Sequence, residues 1–465
     1  MSAFTKSRRA FFFVLFPIFF TAYSFGESTD EVLIVVHDRE ITKDEFLYHF
    51  KKTGQEINQP NITEYLDLFI DFQLKLAQAR EEGVDHNIGF INELAEYRLL
   101  LAAPYLTDKE KEEELAMEAS ERLHYEVDAS HILLRLNANA SPEDTIMAYT
   151  KAIQIRNRIM DGESFKQLAL FFSDDPNVSK NEGRLGYFTA FQTEYPFESA
   201  VYKMRPGEIS MPVRSNSGYH IIQLTGRRKI SGEVKTEQEI IDLIIGAKDE
   251  RTQMIEDAFV EKLKKVWSFE ENPDALETIC GLADERVYKG NFIPPVNQSF
   301  DETLFFIDGK NVYQKNLIDF IESFETTDRY LSIREYIHSL YKKFVASRLI
   351  QYENYKLEEK YPEFRFQLQE YRDAMLLLGI TRQKVWLKAE SDSTGLEKFY
   401  RENKQKYIRE ESVHPSNQKP EYKTLDEVYA AVLSDYQNSL MKKWIEDLRN
   451  RYDVKIDEEV LSSIY

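Results

Sequence analysis

Cysteine is almost missing from this chain: 465 residues contain one, Cys280. A single thiol excludes an intramolecular disulfide framework and any zinc site built on several cysteines. Glycine (17) and proline (14) are too scarce for a collagen-like or low-complexity chain. Positive charge is in deficit, with 60 Lys+Arg against 80 Asp+Glu and a formal net charge of -20. Such a surface repels phosphate backbones, so nucleic acid is not expected as a partner. Past residue 23 no apolar run approaches the roughly 20 residues of a membrane span, and no stable membrane insertion is expected there. What is present is an ordinary globular balance, 42% hydrophobic and 30% charged, long enough for several domains.

The N-terminus reads differently. Lys6, Arg8 and Arg9 precede an apolar run from Ala10 to Tyr23, and Ser24-Phe25-Gly26 offers small residues at a cleavage site. This is the three-part pattern of a secretory signal peptide, predicting a leader at 1–26 and a periplasmic address. Its removal would take away three basic residues and leave a formal charge of -23.

Beyond the leader, Val32–Val36 reads as a strand, His37–Glu40 as a turn, and Thr42 with Glu45 as the capping box of a helix. Helical text follows to about Arg122, with an apolar stripe at Phe90, Leu94, Tyr97 and Leu101. A similar stripe returns at Phe364, Leu368, Tyr371 and Met375, and the Val36–Thr42 text is paralleled by Ile307–Tyr313. Two matches in one order predict an internal repeat, whose apolar stripes are expected to form a cradle for clients. Between the copies, strand text at 129–134 and 218–224 encloses helices capped by Ser141 and Ser164. The expected organisation is an N-terminal helical unit at 27–122, a compact domain at 123–228, a helical connector at 229–300 and a C-terminal helical unit at 301–465. The fold class is α+β: a small sheet with surrounding helices between two mainly helical units.

Six motifs in the middle segment occur in one order: His131-Ile-Leu-Leu134, Phe172-Ser-Asp-Asp175, Gly183-Arg-Leu-Gly-Tyr-Phe188, Pro196-Phe-Glu-Ser-Ala200, Gly207-Glu-Ile-Ser210 and Ser217-Gly-Tyr-His-Ile-Ile222. Together they resemble a parvulin-type peptidyl-prolyl cis-trans isomerase domain over residues 125–227. The flanking helical text resembles the chaperone portion of SurA-type periplasmic chaperones. The resemblance implies a site. His131, Asp175 and His220 match its catalytic polar residues, while Leu185 and Phe197 match walls of the proline pocket. Thr193 stands where the family usually has Met, and Ser217 matches a hydroxyl near the second histidine.

No cofactor or metal is expected, because rotation about an X-Pro bond needs no covalent intermediate. The loop after the first strand, Arg135 to Ser141, carries one Arg, which argues against a phosphate-reading cluster. The implied function is isomerisation of X-Pro bonds and folding assistance to exported, outer-membrane or secreted polypeptides. The alternative is a client-holding chaperone whose parvulin domain is weakly active or only binds peptide.

Overall fold

The computed structural model describes residues 31–464 apart from 57–60, 138–139, 231–234, 294, 296–297, 325–330 and 409–421. The expected leader at 1–26 lies outside the described residues. The chain divides into two compact units, one formed by the chain up to Arg98 together with Arg365 onward, the other by Leu99–Phe364.

In the first unit Val32–Val36 pairs antiparallel with Arg39–Thr42 across the two-residue turn His37-Asp38. His37 adopts φ 57 there. The segment read from sequence as turn alone is thus a hairpin, whose second strand is too short to show an alternation. Its outer neighbour comes from the other end of the chain: Val454–Ile456 pairs with Val32–Val36, with Ile34 opposite Ile456. One core follows from that pairing. Leu33, Phe46, Phe69 and Leu74 pack with Leu376, Ile380, Trp444 and Leu448. The N- and C-terminal helical segments, expected as separate units, share this interior. Periodicity shows that a helix has an apolar face but not which face it meets. The stripes expected to form a cradle are used in packing: Phe90, Leu94 and Met375 join the core, and Tyr97 stacks on Tyr371 at 3.7 Å. A buried charge ties the seam. Asp373, fully buried, accepts from Arg80 at 3.0 Å and from Arg39 at 3.4 Å.

The hairpin-and-helix pattern occurs again in the second unit. Thr303–Ile307 pairs with Lys310–Tyr313 around Asp308-Gly309, with the same bulge near its start, and the helix Gln314–Ile321 follows. Here the third strand is Glu270–Glu271, which follows the helix Glu250–Val266. The text expected as a connector at 229–300 therefore supplies the helices Glu237–Ala247, Glu250–Val266 and Pro273–Leu282 of this unit.

The same unit holds a four-stranded antiparallel sheet ordered Arg184–Phe188, Tyr125–Arg135, Gly218–Lys229, Val213–Ser215. Side chains alternate across a strand. Ile132, Leu134 and Ile221 meet the helices Pro142–Met160 and Phe165–Phe172 on one face. Val127, Ala129, Ile222 and Leu224 meet the helix Tyr195–Lys203 on the other. Glu198 of that helix is completely buried. It accepts from Arg122 at 2.8 Å, from Arg251, and from the Phe191 backbone N–H at 2.7 Å. The two arginines flank the sheet domain in sequence, one on Lys109–Leu123 and one on Glu250–Val266.

Removing one partner of a buried ion pair costs about 3–5 kcal/mol, because the other charge stays buried. Glu198→Gln in the full chain should therefore lower the denaturant midpoint of this unit. In a fragment of 123–228, which lacks both arginines, the same substitution should leave the midpoint unchanged or raise it. An equal loss in both contexts would show that the arginines do not compensate Glu198.

Candidate functional site

Two strands aim their histidines at one spot. In the pairing of Tyr125–Arg135 with Gly218–Lys229, His131 lies opposite Ile222 and Leu133 opposite His220. A stagger of two residues keeps both imidazoles on the same face of the sheet. Their Nδ1 atoms are 3.2 Å apart, with the rings nearly parallel at 16°. Gly218 makes this approach possible: at φ 149, an added Cβ would lie 2.1 Å from the Leu134 carbonyl oxygen.

The pair is the middle of a longer chain of hydrogen bonds. His131 Nε2 faces Asp175 Oδ2 at 3.1 Å, and His220 Nε2 faces Ser215 Oγ at 2.7 Å. Burial pushes the Asp175 carboxyl up, but the Asn177 backbone N–H and the His131 ring outweigh it and hold the group below its ordinary range. An ionised Asp175 can only accept, so His131 carries a proton on Nε2. One proton lies between the two Nδ1 atoms, and His220 Nε2 shares another with Ser215 Oγ. Asp175, both rings and Ser215 form one continuous chain.

Local structure holds each end. Leu133 N–H donates to Ser173 Oγ at 3.0 Å, Asp174 N–H to the Leu133 carbonyl at 2.7 Å, and Arg135 N–H to Asp174 Oδ2 at 2.8 Å. Asp174 thus docks the loop on the strand and leaves Asp175 for the histidine. Beneath the rings lies Phe197, 3% exposed, edge-on to His131 at 5.7 Å and to His220 at 5.2 Å. Leu185 stands on the edge strand and is 38% exposed. Thr193 is half-buried, and its Oγ1 is buried without a hydrogen-bond partner.

Ser217 is placed differently from the expectation. Its hydroxyl donates to Glu194, and the hydroxyl at the second histidine belongs to Ser215. The text Ser215-Asn-Ser-Gly218 holds both candidates, and the register decides. Ser215 pairs with Gly218 across a two-residue turn, so Ser217 sits at the tip. Glu194 also accepts from the Asn216 N–H at 2.8 Å, closing the hairpin over the site. No residue-type signal in the sequence marks Glu194 for that task.

Beside the strand end, a cleft of about 610 Å³ is lined by Arg135, Asp144 and Asp174 among others. Its charged lining is two acids and one base, which does not suit a phosphate. Elsewhere in this unit Glu277, Cys280 and His338 bring three donor atoms within 4.8 Å of one another. Arg334 already pairs with Glu277, and burial pushes the Cys280 thiol up to about 11.

The comparisons with known proteins place a family model on the middle segment. Residues 131–226 match the family model described as Rotamase: PPIC-type PPIASE domain. The chain is 29% identical over 227 residues to the foldase protein PrsA of Oceanobacillus iheyensis, covering 45% of this chain and 72% of that protein. To the chaperone SurA of Alcanivorax borkumensis it is 32% identical over 143 residues, covering 30% of this chain and 33% of that protein. A solved structure, the peptidylprolyl isomerase PrsA of Bacillus anthracis, is 21% identical with a TM-score of 0.26, covering 48% of this chain and 89% of that one.

Two predictions follow from the geometry. Burial, with the neighbouring His131, lowers His220 from 6.5 to about 4. Its neutral form is favoured in the folded state, so the unfolded chain binds the extra proton between these values. The resulting stability is complete above pH 6.5 and lost as pH falls towards 4, on the order of 3 kcal/mol in all. His220→Gln should flatten that part of the stability–pH curve, and an unchanged slope would place His220 in water. Separately, Ser215→Ala should disturb the imidazole signals of both histidines in an NMR spectrum, whereas Ser217→Ala should leave them nearly in place. The reverse pattern would return Ser217 to the network.

Proposed function

We propose that this chain is a foldase for exported polypeptides, built around the PPIC-type peptidyl-prolyl isomerase domain at residues 131–226. One observation carries the reading: the continuous hydrogen-bond chain Asp175–His131–His220–Ser215, backed by the buried ring of Phe197. Rotation about an X-Pro bond must cross a barrier of about 18–20 kcal/mol, because the C–N bond is partly double. The twisted amide at the top of that barrier has lost its resonance. A site that binds the twisted form better than either planar form lowers the barrier without bond-making. Leu185 and Phe197 supply apolar surface for the pyrrolidine ring. The imidazole chain supplies a fixed polar edge whose proton positions need not rearrange during rotation.

The hydroxyls have other duties. Ser215 is 5% exposed and hydrogen-bonded to His220, while Ser217 donates to Glu194. A hydrolase would need a hydroxyl both bonded to a histidine and open to a substrate carbonyl; Ser215 is buried, and the exposed Ser217 is bonded to Glu194 instead. X-Pro segments of unfolded polypeptides are the substrate class of this reading, in line with the foldase and chaperone relatives. Among the described residues no helix is long and apolar enough to cross a membrane. Export to the periplasm rests on the leader text at 1–26, and the mature protein would begin near residue 27.

A second reading, client holding with weak isomerisation, is favoured by Thr193. A short side chain with an orphaned hydroxyl stands where a long apolar one would close the proline slot. Exposed apolar residues in the other unit, such as Ile88, Ile91 and Leu378, offer surface for clients.

The full chain should accelerate cis-trans exchange of an X-Pro tetrapeptide, read by isomer-specific proteolysis. Phe197→Leu should slow it roughly tenfold, the loss of about 1.4 kcal/mol of apolar contact. Thr193→Met should match or exceed the wild type, because it removes a buried hydroxyl and fills the slot. Absence of any acceleration by the wild type, alongside intact suppression of client aggregation, would favour the holding reading. Replacing 125–227 by a short Gly/Ser linker should abolish exchange and leave aggregation suppression largely in place.

A further inference from the structure

The helix Glu250–Val266 begins against the back of the isomerase site, although it lies outside the matched domain. Arg251, 1% exposed, reaches Glu198, and its guanidinium lies 4.4 Å from the ring centres of both Phe191 and Tyr195. Glu198 is the neighbour of Phe197, the ring that touches both histidines. Through its other oxygen Glu198 holds the Phe191 N–H. Phe191 is a non-glycine residue at φ 66, a conformation that persists only where the surroundings enforce it. Between Phe191 and Tyr195 run Thr193 and Glu194, the pocket position and the acceptor that closes the Ser215 hairpin. The same helix start grips that hairpin directly, since Asn216 Nδ2 donates to Glu250 Oε1 at 2.8 Å.

We propose that Arg251, from outside the isomerase domain, is a positioning residue of the isomerase site, holding through Glu198 and Phe191 the segment that carries Thr193 and Phe197. The proposal rests on the isomerase reading of residues 131–226. Arg122 also pairs with Glu198, and its other contacts are Glu118 of its own helix, Ser199 Oγ at 3.1 Å and, at 5.5 Å, the rings of Tyr195 and Tyr202. Arg251 lies closer, 4.4 Å from the ring centres of Phe191 and Tyr195 against 5.5 Å for Arg122 over Tyr195, and of the two it is the one stacked on Phe191. Its partner Asp249 fixes the other end of the guanidinium, so the fork is held before substrate arrives.

The test uses the full chain. Arg251→Met should lower kcat/KM for an X-Pro peptide between about tenfold and a hundredfold, the scale of a small misplacement at a reacting centre. The loss should fall mainly on kcat, as expected when transition-state contacts are lost and ground-state binding is kept. Arg251→Lys, which keeps the charge but not the fork, should recover part of it. If Arg251→Met fails to fold, the pair Glu198→Gln with Arg251→Met removes the bare buried carboxylate and should show the same loss. Leu263→Ala, on the same helix but in a different core cluster, weakens packing and should leave kcat/KM unchanged. The imidazole Cε1–H signals of His131 and His220 should shift in Arg251→Met and stay in place in Leu263→Ala. Wild-type kcat/KM with unshifted imidazole signals in a folded Arg251→Met protein overturns the proposal. A wild-type chain without isomerase activity would refute the isomerase reading instead, and the imidazole signals would still decide whether Arg251 positions the site.

Discussion

A carboxylate taken out of water must find its countercharge and its hydrogen bonds inside the protein, and Glu198 finds both. Burying an ion costs several kcal/mol, repaid only by good geometry and complete hydrogen bonding. Two guanidinium groups and a backbone N–H meet that requirement, and they come from three separate stretches of chain. The result is one allowed arrangement of the helix Tyr195–Lys203 against Lys109–Leu123 and Glu250–Val266. The same device recurs. Asp373 in the other unit is held by Arg39 and Arg80, and Glu353 is held by Trp267 Nε1–H at 2.8 Å and by Lys360. Apolar packing tolerates small slips, whereas a buried charge does not, so these three sites specify how distant segments meet.

That constraint passes into the chemistry because Glu198 and Phe197 are adjacent. The helix turn that points the carboxylate towards the arginines points the phenyl ring towards the histidines. On the sheet side, the antiparallel stagger of His131 and His220 sets the ring spacing, and Gly218 lets the strand come close enough. Asp175 and Ser215 then terminate the chain at opposite ends, Asp175 as an acceptor. A site held at both ends in this way is fixed in place, which suits a reaction that makes and breaks no bond.

The parts of this legible in the sequence were those with a local signature. The apolar runs at 129–134 and 218–224 read as strands and the Gly-rich turns mark the sheet domain, while His131, Asp175 and His220 were named by the resemblance of six ordered motifs. The hairpin beginning at Val32 and its counterpart at Thr303 were half visible, as a run and a turn, while the four-residue second strands were too short to read. Ser217 was named by the resemblance alone, and spacing along the chain cannot say which side of a two-residue turn faces the sheet, where Ser215 meets His220. The long-range terms left no trace. Nothing near Arg251 or Asp373 in sequence names Glu198 or Arg39 as a partner, and an apolar helix stripe such as Phe90 to Leu101 looks the same whether it packs inside or lies open. The shared core of the N- and C-terminal segments was invisible for the same reason.

The central claim is that the two histidines are members of one hydrogen-bond chain running from Asp175 to Ser215. The imidazole ¹⁵N shifts of His131 and His220 in the full chain at neutral pH measure this directly. The account predicts a proton on Nε2 of His131, facing Asp175, and a neutral ring at His220. A bare Nε2 on His131, or an imidazolium at His220, would contradict it.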